Sequence, residues 1–190
     1  MEIVLASTSP RRKELLKQIV DDFKCVAPQF NEESVKIKNP KQKCMFLSCQ
    51  KCKAALKDCG ENTVIISSDT VVDFNGNILE KPKDKQDAYR MIKNLSGNQH
   101  EVHTAVTVYY NGKLYTFCES TTVYVDVISE KNIEKYINTN IWEGKAGAYG
   151  IQDSFGACHI KGIKGDYYTV MGLPVNRLYG LLKKLGILDN

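Results

Sequence analysis

No apolar run in this chain approaches the roughly 18–20 residues that a membrane-spanning helix needs. The first residues, MEIVLAS, put an acid at position 2 and have no basic stretch ahead of a long apolar one. Neither a secretory signal nor a transit peptide is therefore expected. Blocks of five or six like charges are also missing, which excludes a charged interaction tail. There is no GxGxxG fingerprint and no phosphate-binding P-loop, so standard dinucleotide or Walker-type binding is not indicated. His100, His103 and His159 lie in neither an HExxH nor a GxSxG setting, which leaves a zinc protease or a serine hydrolase without support. Cys49 and Cys52 form a CxxC with no second pair and no histidines at ligand spacing, which argues against a zinc ribbon.

What is present is an ordinary globular composition, 43% hydrophobic and 25% charged. One domain over residues 1–190 is expected, with room for two lobes. The net charge of +4 permits an anionic partner without requiring nucleic acid. Seven cysteines, an odd number without an export signal, point to reduced thiols in a cytosol-like compartment. Met45, Cys49, Cys52, Leu56 and Cys59 fall at helical spacing and read as core filler, with Lys51 on a different face.

Residues 2–6 read as a buried strand and 22–28 as a second one. Ser9 suits an N-cap and Pro10 the first position of a helix. Residues 41–58 read as an amphipathic helix closed near Gly60. TVIIS at 63–67 is a central strand continuing through DTVVDF to the NGN turn at 75–77. A helix runs from Asp84 or Lys85 to residues 95–97, and NGK at 111–113 joins two long strands, 100–110 and 113–127. Residues 129–138 read as a helix capped by Ser129, and WEGKAGAYGIQDSFG shows no period. ACHIKGIKGDYYTVMG suggests two short strands around a KGD turn, and LPVNRLYGLLKKLG a last helix stopped by Gly186. The pattern predicts an α/β domain with a mixed sheet.

Four places could carry chemistry. The first is the turn STSPRRKELL, which puts Arg11, Arg12 and Lys13 at the positive end of a helix, where acids are favoured. A bound polyphosphate would reverse that sign, and Arg suits bidentate phosphate contacts; a basic helix end with solvated side chains is the plain alternative. The second is Asp69, at the end of an apolar strand, where a carboxylate is costly unless a metal, a proton donor or a hydrogen-bond network holds it. Asp73, four residues on, reads as a surface residue. Third come Lys51 and Lys81 as phosphate ligands and the pair Glu32–Glu33 as a source of a metal carboxylate, each equally readable as solvated surface. The fourth is KAGAYGIQ at 145–152, whose small residues allow close backbone approach and whose Gln152 suits a nucleobase edge, or which is a tight structural loop.

LASTSPRRKELL, EE at 32–33, QKCKA at 50–54, SSDTVV, EKPKDKQDAYRMIKNLSG, HTAV, KAGAYGIQ and KGDYYTVMGLP, in that order, resemble the Maf family of nucleotide pyrophosphatases over nearly the whole chain. The resemblance implies a Maf/inosine-triphosphatase-like fold, an elongated mixed sheet flanked by helices, with two lobes and a central cleft. It implies cleavage of a nucleoside triphosphate to the monophosphate and pyrophosphate with a divalent metal, Mg²⁺ or Mn²⁺. Asp69 matches the general base; Arg11, Thr70 and Gln152 match base-selecting positions of the branch acting on dTTP and UTP. Ser7, Arg12, Lys51 and Lys81 match phosphate contacts, and Glu33, with Asp69, a metal ligand. A cytoplasmic homodimer without a membrane or a stable nucleic-acid partner is the accompanying expectation. A different class, a nucleotide- or nucleic-acid-binding regulator without turnover and tied to cell division, would use the same Arg pair. Two departures stand out: Ser67–Ser68 where Gly-Ala is common, and WEG at 142–144 where a Pro-x-Asp segment is common.

Overall fold

The computed structural model describes residues 1–59 and 62–188, so the expected helix stop at Gly60 lies outside the described residues. Seven strands form one mixed sheet in the order β2-β1-β3-β5-β6-β7, with β4 paired to β3 beside that path. β1 (Glu2–Ala6) runs parallel to both β2 (Lys24–Val26) and β3 (Thr63–Phe74). All other pairings are antiparallel: β3 with β4 (Asn77–Leu79) and β5 (Gln99–Tyr110), β5 with β6 (Lys113–Val125), and β6 with β7 (Ile160–Lys164). The predicted hairpin at Asn111–Gly112 is present, with both residues at positive φ as a tight primed turn demands.

Strand periodicity divides β3 cleanly. Ile65, Ser67, Asp69, Val71 and Asp73 share the face covered by α2 (Pro40–Cys59). Val64, Ile66, Ser68, Thr70 and Val72 share the other. On that second face two apolar clusters form. Val64 and Ile66 pack with α1 (Pro10–Leu16) and α7 (Val175–Lys184). Val72 packs at the far end with α3 (Lys85–Leu95), α4 (Glu130–Ile137) and α5 (Ser154–His159). Between them Ser68, Thr70 and Thr104 form a polar seam. These are the two lobes, one at each end of the long strands.

Three expectations are corrected. Residues 167–171 form a helix, α6 (Tyr167–Met171), and not a second strand, because Asp166 caps it through Thr169 N and Gly172, at φ 113°, ends it. The end of the aperiodic stretch, with Ala157–His159 of the expected strand segment, forms α5, capped by Asp153. The buried stripe of α2 is Cys44, Leu47, Ser48, Lys51, Cys52 and Ala55. Met45 is 39% exposed, and Lys51 shares the buried face with Cys52. Polar Ser48 and Lys51 sit where an apolar stripe would place carbon, so hydrophobic spacing alone selects the wrong face.

Candidate active site

Asp69 lies at the middle of β3, only 5% exposed, on the face under α2. Helical spacing from Leu47 and Ser48 brings Lys51 over it, with Nζ 2.5 Å from Asp69 Oδ1. The same ammonium lies 3.0 Å from Glu32 Oε1. Glu32 and Glu33 sit in a short 3-10 turn capped by Asn31, whose Oδ1 accepts from Glu33 N. The turn aims Glu32 inward and leaves Glu33 exposed on the cleft's rim. Glu32, which the sequence offered only as half of a pair, is therefore the carboxylate brought to Asp69. Burial pushes the Asp69 carboxyl above the ordinary carboxylate range, against the pull of Lys51 and Arg12.

Arg12 reaches the other face of the strand. Its Nε donates to Gly172 O at 2.9 Å and its second terminal nitrogen to Thr70 Oγ1 at 3.0 Å. Thr70 Oγ1 also lies 3.0 Å from Thr104 Oγ1, which donates to Thr169 O. Gly172 O accepts from Ser68 Oγ as well, and Ser67 Oγ donates to Ser48 O at 2.7 Å. The two serines that depart from the family pattern thus fasten the segments flanking Asp69, α2 on one side and the Gly172 cap of α6 on the other.

Asp69, Lys51, Glu32, Arg12 and Thr70 line a cleft of about 1230 Å³. Ser7, Arg11 and Arg12 form one wall; Lys81, Lys83, Lys145 and Gln152 form the opposite one; Asp69 and Thr70 lie on the floor. Every site residue expected from the sequence lines this one cavity, Ser7, Arg11, Arg12, Glu33, Lys51, Asp69, Thr70, Lys81 and Gln152. Ser7 Oγ accepts from Ser9 N just ahead of the α1 cap, where Ser9 Oγ accepts from Arg12 N. Lys81 and Gln152 are exposed on the rim. The 145–152 loop is fastened by Gly147, at φ 69°, whose N donates to Glu80 O and whose absent Cβ would press on Val72.

Sequence reasoning missed three cations of the cleft. Lys43 pairs with Glu80, Lys145 Nζ lies 2.5 Å from Asp153 Oδ2, and Lys83 stands beside Lys81. Their signal was only position, a helix face or a loop neighbour of a motif. Among the described residues, one trio of donor atoms that could hold a metal ion, from Asp73, Glu101 and His103, lies within 4.8 Å of one another, outside the cleft.

Fold and site together define a mixed α/β protein whose cation-walled cleft surrounds one buried carboxylate, an arrangement suited to polyanionic ligands. The chain belongs to the family described as Maf-like protein, whose profile matches residues 2–185. It is 42% identical over 190 residues to the dTTP/UTP pyrophosphatase of Clostridium novyi (strain NT), covering 98% of this chain and 99% of that one. It is 42% identical over 189 residues to the dTTP/UTP pyrophosphatase of Thermosipho africanus (strain TCF52B), covering 100% and 96%. Among solved structures, the Staphylococcus aureus Ham1 protein matches with a TM-score of 0.56 at 15% identity, over 97% of this chain and 99% of that one. At that identity the likeness shows the fold alone, and it is the fold expected from the motifs.

Proposed function

We propose that the chain is a nucleoside triphosphate pyrophosphatase acting on dTTP, UTP and related modified pyrimidine nucleotides, releasing the monophosphate and pyrophosphate in clearance of the nucleotide pool. The carrying observation is Asp69, buried at the floor of a cleft whose two walls both present cations. Two relatives at 42% identity over nearly the full chain bear that activity in their names.

The chemistry follows from charge. A triphosphate repels nucleophiles, so positioning and electrostatic neutralisation must supply most of the rate. Lys51 from one side and Lys81 from the other hold the phosphates, and their charges offset the negative charge gathering on the leaving pyrophosphate. Among the described residues only Oδ1 of Asp69 is engaged, by Lys51, which leaves Oδ2 to take a proton. Its raised pKa makes it a better base than an exposed carboxylate. As a water oxygen bonds to phosphorus, its proton passes to Asp69 and the bridging P–O bond breaks toward pyrophosphate. Thr70 and Arg12 hold each other, and Arg12 holds the Gly172 cap of α6, which fixes the floor. Gln152 and Arg11 face the base.

Asp69 and Glu32 supply hard carboxylate oxygens that would hold a divalent ion, Mg²⁺ or Mn²⁺; in the structure Lys51 Nζ bridges the two carboxylates. Glu33, on the rim, is a further carboxylate for the ion. When bound, such an ion supplies Lewis-acid polarisation of the phosphates and acidification of water. The family resemblance supports a cytoplasmic homodimer forming no stable nucleic-acid complex, with one domain over residues 1–190. No helix among the described residues is long and apolar enough to cross a membrane.

A panel of canonical and modified nucleoside triphosphates, with Mg²⁺, Mn²⁺ or neither, tests the reading. Pyrophosphate release is expected from dTTP and UTP with either metal. Asp69→Asn should lower kcat by about 10²–10⁴-fold with the fold intact by circular dichroism. Nucleotide binding without pyrophosphate release from any panel member would overturn the enzyme and leave the regulator.

A further inference from the structure

Four residues beyond Asp69 on β3, about 13 Å along the strand at ~3.3 Å per residue, the same sheet face carries a second polar cluster. Asp73 stands opposite Glu101 in the β3–β5 ladder, and His103 stands diagonally beside it. Expected to be a plain surface residue, Asp73 keeps its side chain only 17% exposed. The His103 ring is 1% exposed, with Nδ1 2.9 Å from Ser120 Oγ on the neighbouring strand.

Nε2 of His103 has no hydrogen-bond partner among the described residues. It is aimed between two carboxylates, 3.7 Å from Asp73 Oδ2 and 3.8 Å from Glu101 Oε2. Those separations exceed hydrogen-bond length. They match ligands sharing one ion: bonds of about 2.1 Å at angles of about 110–130° separate donor atoms by roughly 3.4–3.8 Å. Two of the three donors are also held from behind. Asp73 Oδ1 accepts from Gly76 N at 2.8 Å across the β3–β4 turn, leaving Oδ2 for the histidine side. Ser120 fixes the imidazole through Nδ1, the outer support that ligating histidines need.

We propose that Asp73, Glu101 and His103 form a divalent-cation site, separate from the cleft and suited to a first-row transition-metal ion such as Mn²⁺ or Zn²⁺. An imidazole with two carboxylates favours those ions, whereas Mg²⁺ prefers oxygen ligands alone. None of the three residues lines the cleft. The ion would clip β3 to β5 where the chain folds back through β4 toward Glu80 and Lys81, and so brace the cleft's far wall.

Co²⁺ is the probe, titrated into the full-length, metal-stripped protein and followed by visible d–d absorption, with Zn²⁺ titrated calorimetrically. One ion is expected to bind with a visible band in addition to any held by the cleft carboxylates, and Asp69→Asn should leave that band unchanged. His103→Gln should abolish it, and Glu101→Gln should weaken binding by roughly 10–100-fold or more. If His103→Gln fails to fold, Glu101→Gln decides, since the Glu101 side chain is 48% exposed and its amide can be borne without loss of packing. A band that survives Glu101→Gln undiminished, a band lost with Asp69→Asn, or no band in the wild type would overturn the proposal. Because the readout is spectroscopic and the Asp69 variant is one arm, its failure is distinct from failure of the pyrophosphatase reading.

Discussion

Two carboxylate pairs share one face of β3, and they are balanced in opposite ways. Asp69 and Glu32 hold the permanent charge of Lys51 between them, with Arg12 close by. Asp73 and Glu101 instead flank the His103 ring, at 3.7 and 3.8 Å from its Nε2. Both frames are anchored on β3, the first completed by the Glu32–Ser34 turn and the second by β5. The difference lies in what the covering element supplies: α2 lowers an ammonium onto Asp69, whereas near Asp73 the central group is an imidazole from the sheet itself. The first pair is neutralised within the protein and poised for an anionic ligand with its ion. The second gathers two carboxylates around an imidazole nitrogen, which is a donor set suited to a cation.

The comparison breaks most severely at Lys51. Lys51→Met leaves Asp69 buried beside Glu32 without its partner, and removing one member of a buried pair costs about 3–5 kcal/mol. For a chain of this size that is a fall in Tm of about 10 °C at pH 7, read by calorimetry. The loss should shrink toward pH 5. Without Lys51 the folded-state pKa of Asp69 lies still further above its unfolded value, so the native state holds the extra proton and gains stability as pH falls. An unchanged Tm at pH 7 would show that the pair is not coupled in the folded protein.

A histidine without carboxylates sharpens the same contrast. His100 lies on the opposite face of β5, 2.6 Å from Tyr149 Oη, with Nδ1 buried and unpartnered. Burial lowers its pKa to about 4. The unfolded chain therefore takes up a proton below pH 6.5 that the native state refuses, and stability falls with pH from 6.5 toward 4. The loss from this group is about 2 kcal/mol by pH 5. His100→Gln should flatten the slope of Tm against pH between 7 and 5. A slope identical to wild type would assign acid sensitivity elsewhere.

The smallest effect is expected at the rim of the second pair. With no metal present, Glu101→Gln should change stability by no more than about 0.5 kcal/mol by urea titration, since a half-exposed carboxylate gains little from its neighbours. A large loss would mean that Glu101 is held by interactions the separations to His103 do not suggest.

How much was legible depended on how local the signal was. The α1 start is written in Ser9 and Pro10, and the β5–β6 hairpin in Asn111–Gly112, because caps and primed turns depend on a few adjacent residues. Helix α6 was also written, in Asp166 and Gly172, but the β-prone Tyr-Tyr-Thr-Val between them masked it. Lys51 was legible as a residue type and wrong as a face. A buried lysine breaks the apolar stripe that reveals orientation, and only the position of Asp69 beneath α2 explains why the helix turns it inward. Glu32 could not be told from Glu33, because a one-residue step in a short 3-10 turn reverses direction without any periodicity to read.

The sequence by itself determined the strand and helix order, the cap and turn chemistry, and the set of cations and carboxylates that the cleft would need. Tertiary structure alone decided which of them meet. The Lys51–Asp69 contact spans 18 residues, Arg12 and Gly172 are 160 apart, and His103 meets Asp73 only through strand register. Electrostatics and hydrogen bonding act over a few ångströms, and distance along a chain says nothing of distance in space until the sheet has closed.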